Sequence, residues 1–327
     1  MISDVHYAGA AEQARRGFET RVIRNPALQL AARAWRSWVW LRDPMAHNER
    51  LGRLIALNPS PDLVVANGDF TVDSAFVGVS DDAAMSSARE ALERLREAYG
   101  ARLLATIGDH ELGKQSLFGG VGGLRLESWA RCGSELGLAG VWRRDAGPWV
   151  LVGVASSPAA LPVFEPELLH VERDGWRKIR SGMLQELGDV LASVGPDRRL
   201  ILFVHDPSAL PFLGAEPSVA RVLPQVALTV VGHLHTPAIF RLGRRLAGMP
   251  RIGFLGNTVR RYSTALQEAR WWREFRAVLC PSPTGIELLK DGGWLELVLD
   301  PDGVSDVRVM LRRLPWLPGD DGRIVQG

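Results

Sequence analysis

Cysteine, tyrosine and long apolar runs are all scarce in this 327-residue chain, and each scarcity excludes something. Only Cys132 and Cys280 occur, far apart and without CxxC spacing. A disulfide framework and a structural zinc finger are thereby excluded as organising principles, and a reducing compartment, the cytoplasm, is the expectation. No uninterrupted apolar stretch reaches the ~18–20 residues that a membrane span needs. Charge of one sign is missing as well. The formal charge is +2, so global electrostatics argue neither for nor against a nucleic-acid partner. No basic stripe with interleaved aromatics runs outside two Arg/Trp segments, which disfavours nucleic acid as a substrate. A cleavable leader is not expected either, because motif residues begin at Asp4.

What the chain does have is apolar content and tryptophan. Hydrophobic residues make up 46%, enough for the core of one large α/β domain. Eleven tryptophans stand against three tyrosines. Trp35, Trp38 and Trp40 cluster among arginines, and Trp271 and Trp272 form a second such run. Two readings of these segments stand side by side: peripheral contact with a membrane–water interface, or helices packed on the body of the domain with solvated arginines. The sequence divides into a domain over residues 1–312, with an Arg/Trp-rich helical insertion at about 10–60, and a loose tail over 313–327.

Buried-strand signals recur at 63–66, 103–107, 149–154, 200–204, 228–231 and 252–255, and a terminal hairpin is predicted from 295–299 and 307–311 around Asp300-Pro301-Asp302-Gly303. Helical periodicity is clearest over Asp82–Tyr99, stopped by Gly100, and over Asp174–Val194, stopped by Gly195-Pro196. Short motifs follow four of these strands directly: Gly68-Asp69, Gly108-Asp109-His110-Glu111, His205 and Gly232-His233-Leu234-His235. Ligands in open α/β folds gather outside the carboxyl ends of strands, so four separate segments point at one rim. With Asp4-Val5-His6 they supply carboxylates and imidazoles of the number and kind that a pair of close divalent cations requires.

The order D-x-H, GD, G-[N/D]-H-[D/E], H, G-H-x-H, running from Asp4 to His235, resembles the calcineurin-like metallophosphoesterase superfamily. The resemblance implies an α/β fold, a four-layer αββα sandwich of two mixed β-sheets flanked by helices, with a dinuclear metal site at the strand C-terminal rim. It implies Asp4, His6 and His235 on the first metal, Asp69 bridging, and Asp109, His205 and His233 on the second. Two divalent ions are implied, manganese foremost, with zinc, iron, nickel or magnesium as alternatives. His110 would assist at the scissile phosphate, and a metal-activated water would attack phosphorus in a phosphomonoester, phosphodiester or pyrophosphate. Asn257, Arg260 and Arg261 follow the last motif and are candidates for holding substrate phosphate. His47 and His170 match no motif.

Two departures qualify the resemblance. Asp109 stands where most members carry asparagine, adding a negative charge that predicts tighter divalent binding and a less electrophilic pair. Only Met1, Ile2 and Ser3 precede Asp4, half a strand, which suggests a start upstream. Within the superfamily's range, a soluble nucleotide phosphodiesterase and a peripheral-membrane pyrophosphatase for a lipid-linked sugar nucleotide are both open. A non-catalytic metal-binding interaction scaffold is disfavoured because every ligand position and His110 are kept.

Overall fold

The structure is a computed structural model that describes residues 1–58, 60–118, 120–253 and 257–317. Among the described residues there are nine strands: β1 (Val64–Asn67), β2 (Leu103–Thr106), β3 (Val141–Ala146), β4 (Trp149–Val154), β5 (Arg199–Val204), β6 (Val226–Val231), β7 (Ala277–Leu279), β8 (Gly293–Val298) and β9 (Arg308–Arg313). A mixed five-stranded sheet has the order β3-β4-β5-β6-β7, with β3 antiparallel to β4 and the rest parallel. Strands β4, β5 and β6 read as unbroken apolar runs because both of their faces are covered, as parallel sheets require. β1 pairs with β2 in parallel, and β8 with β9 antiparallel.

The chain start ties these smaller sheets together. Ile2 N–H donates to Val65 O at 2.9 Å, and Leu295 N–H to Met1 O at 3.2 Å. The three residues before Asp4 therefore lie between β1 and β8. Val65 of β1 and Leu295 of β8 pack in one apolar layer with Leu151, Ile201, Phe203 and Val230 of the five-stranded sheet. Helices cover the outer faces. In Asp82–Tyr99, Ala84, Ala88, Ala91, Leu92 and Leu95 are buried, and Asp81 caps its start. Arg173–Ala192 packs through Trp176, Met183, Leu187 and Leu191, starting and stopping within two residues of the sequence expectation.

Several expectations need correction. β3 was not foreseen: Trp142-Arg143-Arg144-Asp145 is an edge strand, half-exposed and charged, so it lacks an apolar run. The strand expected at 252–255 does not form over Ile252 and Gly253, and Phe254 and Leu255 lie outside the described residues. The fifth place beside β6 is taken by β7, three residues in an Arg-rich setting and too short to give a period. The hairpin ends one or two residues away from the expected limits, with the Asp300 carboxylate accepting from Val304 and Ser305 to close the turn. The tail expected to be loose from 313 is tied down as far as Leu317. Leu314 is buried and donates to Gly292 O at 2.8 Å, while Trp316 Nε1 donates to Thr284 O at 2.8 Å.

Residues 10–57 form four helices, Ala10–Gln13, Phe18–Arg21, Pro26–Trp38 and Asn48–Leu57. Asn25 caps the third by accepting from Ala27 and Leu28, with Pro26 at the first helical position. The two tryptophan clusters part company here: Trp272 is fully buried against Phe240, whereas Trp35 and Trp38 are exposed. Among the described residues no helix is long and apolar enough to cross a membrane.

Candidate metal centre

Each motif leaves its strand and turns within a few residues. Asp69 follows β1, Asp109 follows β2, His205 follows β5 directly, and His233 and His235 follow β6; Asp4 and His6 follow the short segment that pairs with β1. Five of these seven side chains sit on left-handed backbone: Asp4, His6, Asp69, His233 and His235 have φ between 46° and 66°. Such conformations cost L-residues about 1–2 kcal/mol each. They persist where surrounding bonds fix them, as strain at functional sites does. Here the bonds come from other motifs. His233 N–H donates to Asp4 Oδ2 at 3.1 Å, and His110 N–H to Asp69 Oδ1 at 3.0 Å.

Glu111 is the main clamp. Fully buried, its carboxylate accepts from the N–H groups of Gly108 and Asp69, both at 2.9 Å, and of Phe70 at 2.7 Å. It thereby holds the β1 and β2 loops against each other. A Cβ on Gly108 would overlap Asp69, and one on Gly232 would meet Ser3 and, at 2.8 Å, Asp4 Oδ2. These two glycines make room for neighbouring loops.

The outcome is that all seven expected ligands converge. Asp69, Asp109, His205 and His233 offer atoms within 4.8 Å of one another, as do Asp4, His6 and His235. His205 Nε2 lies 3.1 Å from Asp69 Oδ2 and 3.2 Å from Asp109 Oδ1, and His233 Nδ1 lies 3.0 Å from Asp109 Oδ1. The Nε2 atoms of His6 and His235 face each other at 3.0 Å. Backbone carbonyls fix the tautomers: His205 Nδ1–H donates to Asn67 O at 2.6 Å and His6 Nδ1–H to Thr71 O at 3.3 Å, leaving both Nε2 atoms aimed inward. Buried Asp4 Oδ1 and His205 Nε2 have no hydrogen-bond partner. A donor set of three carboxylates and four imidazoles with lone pairs left over in the interior is what divalent cations satisfy, so the residues present fit a metal site.

The electrostatics agree. Burial pushes the Asp4 carboxyl up to about 6 against the pull of His205. Burial and the Asp109 charge push Asp69 up, but His205 and His110 outweigh them and hold it below the usual carboxylate range. Burial lowers His205, yet Asp69 and Asp4 override it and raise the imidazole well above its ordinary value. Burial, with His110 and His235 nearby, leaves His6 well below its ordinary value, and burial brings His235 down to about 3. Protons on one set of groups stand where cations would stand.

His110 shares the rim but differs in its bonding. Its Nδ1–H donates to Val72 O at 2.7 Å, and Nε2 lies 3.8 Å from Asp69 Oδ2. Burial and Lys114 lower it to about 4. Burial therefore disfavours the imidazolium here, and a bound phosphoester's own charge would favour it.

Three residues were not foreseen. Lys114, one of three lysines in the chain, places Nζ 3.2 Å from Asp109 Oδ2. The extra charge of Asp109 is therefore partly neutralised inside the protein, which undercuts the expectation of tighter metal binding. The one signal was an acid in place of an amide with a lone cation five residues on. Trp40 sets its ring 4.7 Å from that of His235, the two tilted. Glu167, buried, ion-pairs with Arg260 and, at 3.0 Å, with Arg261. Both expected phosphate ligands are thus committed to a carboxylate with which substrate would have to compete. Asn257 begins the helix Asn257–Gln267, and its side chain lies outside the described residues. His47 packs near Trp316, away from the centre, and His170 is exposed. No protein-family model matches this chain, and no curated protein matches it.

Proposed function

We propose that this chain is a dinuclear metal-dependent phosphoesterase of the calcineurin-like superfamily, hydrolysing a phosphomonoester, phosphodiester or pyrophosphate. One observation carries the reading: seven ligand-type side chains from five separated motifs converge, with unpartnered buried atoms on Asp4 and His205, and two of their clusters match the two ligand sets that the resemblance implies, a third bringing His110 beside His6 and Asp69. The apolar layer shared by β1, β8 and the five-stranded sheet supports a four-layer αββα scaffold. Asp4, His6 and His235 would hold one cation and Asp109, His205 and His233 the other, with Asp69 between; the three carboxylates suit manganese and the four imidazoles suit zinc, iron or nickel, with manganese the foremost candidate and magnesium also able to substitute. When bound, such a pair acidifies water and neutralises phosphoryl oxygens.

The protein's own contribution is positioning. Glu111 fixes the Asp69 turn, the carbonyls of Asn67 and Thr71 orient two imidazoles, and His110, turned by Val72 O, presents Nε2 to a leaving oxygen. A screen of bis-p-nitrophenyl phosphate, p-nitrophenyl phosphate and nucleotide pyrophosphates with Mn²⁺, Zn²⁺, Mg²⁺ and Ni²⁺ tests this. Asp69→Asn should abolish turnover, and His110→Ala should lower it by roughly 10²–10⁴-fold with metal binding retained. Turnover that survives Asp69→Asn would refute the assignment.

A further inference from the structure

Helix Pro26–Trp38 buries only Ala32, yet its outer face is apolar. Leu30 is 69% exposed and Trp38 71%, with Leu28, Ala34 and Trp35 also exposed and Arg33 the one charge among them. The helix contains no acidic residue. Its end is pinned to a second exposed apolar pair: Glu287 N–H donates to Trp40 O, Leu288 N–H donates to Val39 O at 3.3 Å, and Leu288 and Leu289 face solvent. Isolated exposed leucines need no explanation, but a continuous apolar face marks a contact surface.

Charge specifies the partner. From Arg15 to Arg42 seven arginines stand against a single acid, Glu19, in a chain whose overall charge is +2. A cleft of about 270 Å³ beside the helix is lined by Arg16, Arg33, Arg36 and Arg42 together with Glu19 and Asp43. Arg36 pairs with Glu19, and Arg16 with Asp43 at 3.4 Å. Arg33 and Arg42 are left without a carboxylate partner among the described residues, and Arg42 Nε is buried with no hydrogen bond. Tryptophan and leucine on one face with unpaired guanidinium groups beside them is the composition that seats in the headgroup region of an anionic bilayer.

We infer that this face docks the protein on anionic membrane, with Trp35, Trp38 and Leu288 entering the headgroup–acyl boundary and Arg33 and Arg42 taking lipid phosphates. Trp40, two residues beyond Trp38, packs on His235, so the docking surface adjoins the metal centre. Resting on the phosphoesterase reading, the substrate class would then be a phosphoester carried by a membrane lipid.

The test is co-sedimentation with phosphatidylcholine vesicles and with mixed phosphatidylcholine–phosphatidylglycerol vesicles, in EDTA, so that no turnover is needed. The protein should sediment with the anionic vesicles, weakly with the neutral ones, and less at high salt. Trp35→Ala/Trp38→Ala and Arg33→Gln/Arg42→Gln should each weaken binding by about tenfold or more. Trp35, Trp38 and Arg33 are exposed and Arg42 is half-buried, and an unchanged unfolding midpoint verifies the fold of each variant. Absence of binding, equal binding by all variants, or a dimer abolished by the tryptophan pair without vesicle binding would each overturn the inference. Hydrolysis of soluble bis-p-nitrophenyl phosphate is scored separately. Binding without hydrolysis sinks only the phosphoesterase reading, and hydrolysis without binding sinks only this one.

Discussion

Replacing Lys114 with methionine should destabilise the metal-free protein while tightening its grip on divalent cations. The Nζ–Oδ2 separation from Asp109 is 3.2 Å, with Asp109 fully buried and Lys114 one-quarter exposed. At an effective dielectric constant of about 20, the bare attraction is about 5 kcal/mol. Desolvation of the ammonium offsets part of it, and His205 and His233 also face the carboxylate, so a net loss of roughly 1–3 kcal/mol is expected on removal. Cations placed at the same carboxylate are repelled by the ammonium, so its removal should raise metal affinity by about tenfold, equivalent to ~1.4 kcal/mol. The assay is paired: urea unfolding in EDTA, and calorimetric titration with Mn²⁺. Asp109→Asn should remove the stability effect of Lys114→Met, because the double variant leaves no charge at position 109 for an ammonium to compensate. If Lys114→Met leaves both EDTA stability and Mn²⁺ affinity unchanged, Lys114 does not balance Asp109, and the account of the third motif fails.

Metal uptake should release protons. Asp4 is raised to about 6 and so carries a proton below that pH, and His205 and His233 are raised above the ordinary histidine value and so bind protons more tightly; a cation must displace these protons. Apparent affinity should therefore rise with pH from 6 towards 8, and the calorimetric enthalpy should vary with buffer ionisation heat; a buffer-independent enthalpy would contradict it. At His235, with φ of 58°, the usual order of glycine and alanine should invert. In EDTA His235→Gly should be more stable than His235→Ala by about 1 kcal/mol, since both lose the imidazole but only glycine relieves the backbone. Urea midpoints in the ordinary order would show that the left-handed turn carries no strain.

Much of this arrangement was legible because its signals are local. An apolar run followed within two residues by Gly-Asp or Gly-His-Leu-His announces both a buried strand and what stands at its end; β1, β2 and β6 carry that signature, and β5 is followed by the lone His205. What escaped depends on proximity across the chain. Glu111 reads equally as an ordinary loop carboxylate or as one that orients its neighbours until the β1 loop is laid over it, and Trp40 reads as one more interfacial tryptophan until its ring meets His235. Arg260 and Arg261 have the chemistry of phosphate ligands, but nothing in their own neighbourhood announces Glu167, more than ninety positions away. β3 and β7 failed for a different reason: an edge strand bearing arginines and a three-residue strand both lack the period that makes a strand visible.

The loops that bear the ligands are packed directly on one another, Gly108 against the backbone and carboxylate of Asp69 and Gly232 against the side chains of Ser3 and Asp4, with no space left to absorb a change. One added methyl at either glycine would shift a neighbouring loop as well as its own. Such a cluster offers no gradual route away from its present form: descendants of this sequence would keep the constellation whole or discard it whole, and intermediate versions with a single retuned loop should be rare.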